Sequence, residues 1–429
     1  MHWSFLTSLL PLGLAAAQQV GHDLNETHPR LEWSSCAVDG GCEKVDGEVT
    51  IDADFRWLHN VDGYMDCYYY NDNMWNDSVC DSVENCTTTC ALEGAKYTEV
   101  YGVKTANNTL SQRLRTNYDF SSNIGSRLYL MESQKRYQTF TLKDNELAFD
   151  VDLSTVECGI NSALYFVPMD ADGGMARYPT NAAGAEYGTG YCDASCPRSL
   201  RFVGGKANFD GWIPSETDPV AGAGNMGSCC PQFSVWNSNA HSFAMSSHVC
   251  YEDGPHVCQQ GNCLYNEPYA ERGPGRCDAT GCSYNPYRMG NKDFYGKGKT
   301  VDTARKFTVV TQWTEDKVTQ FLIQDNQKFD VPAPTWDGLP QEAGLSRDMC
   351  TSQFPVFGER DIMAELGGWE HHSKQLLNQP MVMVMSIGTD VSAPAAFPDL
   401  LQYGELVEHQ VWADWVDGPT LSDCIMSRL

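Results

Sequence analysis

Eighteen cysteines, none before residue 36, constrain what this chain can fold into more than any other feature. They follow an N-terminal stretch, MHWSFLTSLLPLGLAAA, whose apolar run over residues 5–17 ends in small residues before Gln18, the pattern of a secretory signal peptide. An even set of thiols sent into an oxidising compartment is kept paired, so the expected fold is stapled by disulfides. Zinc is the rival reading of CDASC (192–196) and CDATGC (277–282), but neither has a second half at zinc-finger spacing. No metal and no cofactor is expected. Four Asn-x-Ser/Thr sites, at Asn25, Asn76, Asn85 and Asn107, agree with a glycosylating secretory route and an extracellular destination. The signal-like run is too short to span a bilayer, and MVMVMSI (381–387) is shorter still, so no membrane association is expected.

Acidic residues number 56 against 29 basic, a formal charge of −27, which makes nucleic acid and anionic membranes poor partners and leaves neutral polymers such as polysaccharides open. Residues 18–429 are long enough for two average domains, yet no Ser/Thr/Pro-rich linker and no internal repeat divides them. One large domain, without a separate carbohydrate-binding module, is the expectation, acting as a monomer.

Period-two alternation with β-branched and aromatic enrichment marks strands at 48–57, 126–131, 137–142, 145–153, 162–170, 306–313, 317–323 and 381–387. Loops dense in Gly, Asn, Asp and Pro lie between them, as at 170–191. The pattern implies an all-β sandwich with long disulfide-stapled loops. The clearest helical segment, 361–379, is broken by Gly367 and Gly368 and is expected at the periphery.

Several phrases, among them ETHPRLEW, VTIDADFRWLH, GSRLYLM, ALYFVPMDADGGMARYPTNAAGAEYGTGYCDASCPR and CSYNPYRMGNKDFYGKGKTVDT, resemble fungal cellulases of glycoside hydrolase family 7. The likeness spans about residues 18–387, and the CSYNPYRMG region looks more like the endoglucanase branch than the cellobiohydrolase branch. What the resemblance implies is an all-β, concanavalin-like jelly-roll β-sandwich whose open cleft binds β-1,4-glucan and cleaves it with retention. Retention requires two carboxyl groups about 5–5.5 Å apart, one as nucleophile and one as acid/base. The family supplies them from a Glu-x-Asp-x-x-Glu motif directly after a Cys-Cys pair.

Aligned on Cys229, Cys230 and Trp236, the nucleophile position here is Gln232, the supporting aspartate Ser234 and the acid/base Asn237. An amide can hydrogen-bond a sugar hydroxyl but carries no negative charge and has no labile proton to give. Losing general acid catalysis alone costs about 100- to 10,000-fold, and losing the nucleophile removes the two-step route, so little or no cellulase turnover is expected. On a strand Gln232 and Ser234 share a face, whereas Asn237 has the opposite parity and needs a bulge or strand end to join them. His248 matches a histidine the family places near the acid/base, with a hydrogen-bonded cleft residue as its plainer role.

The implied binding residues survive better. Trp57 matches a tryptophan on which a glucose ring stacks, although the aromatic two residues before it is Phe55. Tyr165, Asp193, Arg272, Asp278 and Arg288 match positions that hydrogen-bond glucan, while Ser283 and Tyr284 depart mildly from an Asp-aromatic pair. Each polar member has a structural salt bridge or loop tether as its alternative role. The resemblance also implies the pairs Cys36–Cys42, Cys67–Cys90, Cys80–Cys86, Cys192–Cys230, Cys196–Cys229, Cys250–Cys277, Cys258–Cys263 and Cys282–Cys350, leaving Cys158 for Cys424. A further family bridge is lost on both sides, at Gly21 and Ala91.

After residue 387 the sequence leaves the family pattern: Trp412 or Trp415 is left to replace a platform tryptophan, and no closing strand is visible. The leading expectation is a glucan-binding protein with little hydrolysis. The alternatives are a working hydrolase with relocated carboxylates, drawn from Asp170, Asp172 and Asp193 or from deamidation of Asn237, and a wall or host-interaction protein.

Overall fold

The computed structural model describes residues 18–119, 121–215, 222–263 and 277–389. Arg272, Cys424, Trp412, Trp415 and the signal-like segment lie outside them. Twelve strands form the main paths of two sheets, with three short strands pairing beside them: β1 (Arg30–Cys36), β2 (Cys42–Ile51), β3 (Ser126–Ser133), β4 (Glu146–Val151), β5 (Ile160–Val167), β6 (Gln232–Ser238), β7 (Phe243–His248), β8 (Cys282–Tyr284), β9 (Phe307–Trp313), β10 (Lys317–Gln324), β11 (Gln327–Asp330) and β12 (Met381–Thr389). The large sheet runs β1-β2-β3-β12-β5-β6-β7-β8 and the small one β4-β9-β10-β11. Every pairing along both orders is antiparallel, as the alternating patterns predict.

The sheets face each other across one core, because alternate residues of each strand turn inward. Phe233, Val235, Phe243 and Met245 of the large sheet meet Phe307, Val309, Trp313, Val318 and Leu322 of the small one. Phe233 and Phe166 both pack edge-on against Trp313, with centroids 5.7 and 6.2 Å apart. A second core covers part of the outer face of the large sheet: Tyr129, Tyr165, Val167, Val382 and Val384 pack beneath Tyr191, Leu200 and Val203.

Two helices join the strands, α1 (Val83–Thr89) and α2 (Arg347–Phe357), capped by the hydroxyls of Ser82 and Ser346. Gly358, at φ 70°, ends α2 in the left-handed conformation that favours glycine. The 361–379 segment breaks at Gly367 and Gly368 as expected but is not peripheral. Its Ile362, Leu366, Trp369, Leu376 and Leu377 belong to the sandwich core, and Gln375 bonds both the N–H and the carbonyl of Cys250.

Eight bridges form in the pairing that the resemblance implied. The cysteines of CDASC and CDATGC are all among them, which removes the zinc reading. Cys158 is disulfide-bonded too. At the lost bridge, a Cβ on Gly21 would sit 2.2 Å from Glu93 Oε2 and 2.9 Å from His59 Nε2. Glu93 fills that space, accepting from the N–H groups of Asp23, Leu24 and Gly94 and pairing with His59 at 2.9 Å. Burial opposes its ionisation, but those backbone donors and His59 outweigh it and hold the carboxyl below its ordinary range. Among the described residues no helix is long and apolar enough to cross a membrane.

Candidate functional site

Strand β6 resolves the parity of Gln232, Ser234 and Asn237 with a bulge. Ser234 pairs with Ser246 and Asn237 with Ala244, so Val235 and Trp236 together oppose Met245. Both bulged side chains enter the sandwich core, where Trp236 stacks on Phe243 at 4.3 Å. The Val235 carbonyl accepts from Gln320 Nε2 at 2.7 Å, and Gln320 also donates to Thr311 Oγ1. With one residue taken up by the bulge, Gln232, Ser234 and Asn237 all face outward.

That outward face carries other expected residues. Gln232 pairs with His248 and Tyr165 with Ser234 across the sheet, placing all four side chains on one floor. Exposures of 7, 0, 2 and 2% for Gln232, Ser234, Asn237 and His248 make this a floor and not a rim. Gln232 Nε2 donates to Ser234 Oγ at 2.9 Å, and Asn237 Oδ1 is buried without a hydrogen-bond partner. His248 Nδ1 contacts the Asp278 carbonyl at 3.0 Å. No member of the Gln232, Ser234, Asn237 trio can ionise as an acid.

Tyr165 ends a chain that sequence reasoning did not find. Its hydroxyl meets that of Tyr191 at 2.8 Å, and Tyr191 donates to Asp193 Oδ2 at 2.6 Å. Arg127 lies 3.5 Å over the Tyr191 ring and bonds Asp52, which also accepts from Tyr129. Arg127 and Tyr129 are two apart on β3 and therefore share a face, a spacing visible in GSRLYLM.

Trp57 projects from an extended turn after a short helix at Ala53–Phe55. Alternation sends Arg56 and Leu58 inward, at 0 and 1% exposure, and leaves Trp57 half-buried. Its indole N–H bonds Asp66 at 2.5 Å and its ring stacks on His59 at 4.1 Å. Tyr70 braces both flanks, donating to the Arg56 carbonyl and accepting from the Leu58 N–H.

Other expected binding residues sit elsewhere. Tyr284 is 1% exposed in the sandwich core, donating to the Pro332 carbonyl, because β8 parity turns Ser283 and not Tyr284 outward. Arg288 is paired with Glu359 and lies 4.2 Å over Phe357. Asp278 is fully buried behind His248, its Oδ1 accepting from Thr280 and Gly281. The relocated carboxylates have structural partners: Asp170 takes a two-pronged Arg177, Asp172 caps Gly174 and Ala176, and Asp193 binds Ser195 and Tyr191. Deamidation at Asn237 needs attack by the Ser238 nitrogen, which is held in β6 and donates to Asn161 Oδ1.

Burial pushes the Asp278 carboxyl up to about 6, against the opposing bonds from Gly281 and Thr280. The folded state therefore holds this proton more tightly than the unfolded chain does. The resulting stability is complete below about pH 4 and lost as pH rises through about 6. Asp278→Asn is expected to raise unfolding stability at pH 7 by up to about 3 kcal/mol and to leave it unchanged near pH 3.5, read from urea denaturation.

The site is thus set in a two-sheet jelly-roll sandwich with disulfide-stapled loops and a bulged floor strand. Residues 20–402 match the model described as Glycosyl hydrolase family 7, and the chain belongs to that family. It is 50% identical to a cellobiohydrolase from Melanocarpus albomyces solved with cellotetraose, over 86% of this chain and 85% of that one, with TM-score 0.81. A family 7 cellobiohydrolase from Daphnia pulex matches at 34% identity, over 87% of each chain, with TM-score 0.83. The native Humicola insolens endocellulase matches at 29%, over 90% of this chain and 95% of that one, with TM-score 0.73. Cellobiohydrolases and endoglucanases both stand among the similar structures, the Melanocarpus cellobiohydrolase at 50% identity over the matched length and the Humicola endocellulase at 29%.

Proposed function

We propose that this is a secreted β-1,4-glucan-binding protein that holds cellulose or cello-oligosaccharides with little or no hydrolysis. The observation that carries the reading is the floor trio: the bulge brings Gln232, Ser234 and Asn237 to one face, and none of them is a carboxyl. Without a nucleophile a glycosyl ester cannot form, and without an acid the leaving oxygen takes no proton. Binding is supported by Trp57, by the Tyr165–Tyr191–Asp193 chain and by likeness to a cellobiohydrolase solved with cellotetraose. Sugar faces present C–H groups that stack on an indole without requiring charge.

Purified mature protein is expected to show a raised melting temperature with cellohexaose and retention on cellulose, with no sugar released. Absence of both shift and retention overturns binding. Sugar release at ordinary cellulase rates overturns the lack of hydrolysis.

A further inference from the structure

The segment that braces Trp57 also carries an apolar face that the floor does not use. Tyr64, Met65, Tyr69, Tyr70 and Met74 are 75, 56, 43, 39 and 47% exposed, all within eleven residues of sequence. His59 bridges Asp66 and the Asn60 N–H bonds the Met65 carbonyl, which puts Tyr64 and Met65 at the tip of a turn. Tyr69 pairs with Met74 across a small hairpin, so their side chains share one face. Tyr70 and Asp66 fasten both pieces to Trp57, and Cys67–Cys90 staples them to the body. Five exposed tyrosine and methionine side chains within eleven residues of sequence cost solubility and mark a contact surface.

We infer that this face is a second glucan-contacting surface, which adsorbs the protein to solid cellulose while a single chain occupies the Trp57 site. The inference rests on the glucan-binding reading above and extends it outward. Continuity with Trp57 favours this occupant. So does the chemistry: tyrosine rings offer faces to sugar C–H groups and hydroxyls to sugar hydroxyls. The neighbouring Asp62, Asp66 and Asp72 disfavour an anionic partner.

The test is the triple variant Tyr64→Ser/Tyr69→Ser/Met74→Ser, which leaves Tyr70, Asp66 and Trp57 in place. Its adsorption to microcrystalline cellulose is expected to fall about tenfold, while cellohexaose affinity by calorimetry stays within about twofold. Unchanged adsorption, or equal loss of both, overturns the inference. Unaltered protein that binds cellohexaose but not the solid also overturns it and leaves the glucan-binding reading standing, whereas binding of neither overturns both. A wild-type dimer that the triple variant dissolves, with adsorption unchanged, assigns the face to a second copy of the chain. If the triple variant unfolds at lower urea than the wild type, Tyr64→Ser at the most exposed position carries the same comparison.

Discussion

Restoring Gln232→Glu, Ser234→Asp and Asn237→Glu together is expected to raise hydrolysis of a soluble cello-oligosaccharide at least about 100- to 10,000-fold over the natural sequence. The backbone for this change already exists. The Val235–Trp236 bulge turns all three positions to one face, so the three carboxyl groups would be presented together. Gln232→Glu alone supplies a nucleophile but no proton donor, so it should fail on cello-oligosaccharides. It should nevertheless give a burst of aryl release from an aryl glycoside, whose leaving group departs without protonation, and then stall at the glycosyl ester because no base activates the water that cleaves it. Chromatography of the sugars, with aryl release by absorbance, checks both. A folded triple variant with no activity would show that the trio is not what limits hydrolysis.

Glu26→Gln should be the most damaging conservative change away from the floor. Arg56 is fully buried and binds both Glu26 oxygens, at 2.5 and 3.1 Å, with the remaining donors going to Ile51, Thr50, Glu93 and Tyr97. Neutralising Glu26 strands a guanidinium in the interior, a change that costs about 3–5 kcal/mol. Burial works against Glu26 ionising, but Arg56 and the Tyr97 hydroxyl outweigh it and hold its carboxyl below the ordinary range. Its contribution is therefore present near neutral pH and lost as pH falls through that lowered value, a dependence Glu26→Gln should lack. Because Arg56 sets the turn that presents Trp57, cellohexaose binding should weaken with it. Lys44→Ala, which removes the exposed partner of Glu32, should change stability by about 1 kcal/mol or less. Urea denaturation across pH, run on all three proteins, makes the comparison.

Most of the strands were legible because each carries its own period-two pattern, from the 126–131 stretch within β3 to the 381–387 stretch within β12. The odd parity of Asn237 is legible too, since it stands three positions after Ser234 on a strand that alternates every two. The bulge that reconciles them was not, because its stabilising partner, Gln320, lies 85 residues away. The 361–379 segment was misplaced for a related reason: its broken helices look too short to matter, yet Trp369 and Leu376 fill the sandwich. Tyr284 was assigned by alignment, and only the pairing of Met245 with Tyr284 reveals which way it points.

The Glu93 carboxylate occupying the space beside Gly21 has a consequence for how this lineage can change. A cysteine returning at position 21 would evict a buried anion and break its bonds to three backbone amides, while a cysteine returning first at position 91 would be an orphan thiol during secretion. Each single step is worse than either endpoint. Where the resemblance implies a covalent bolt, this chain holds its leading segment by an acid-labile electrostatic contact that neither cysteine alone could replace.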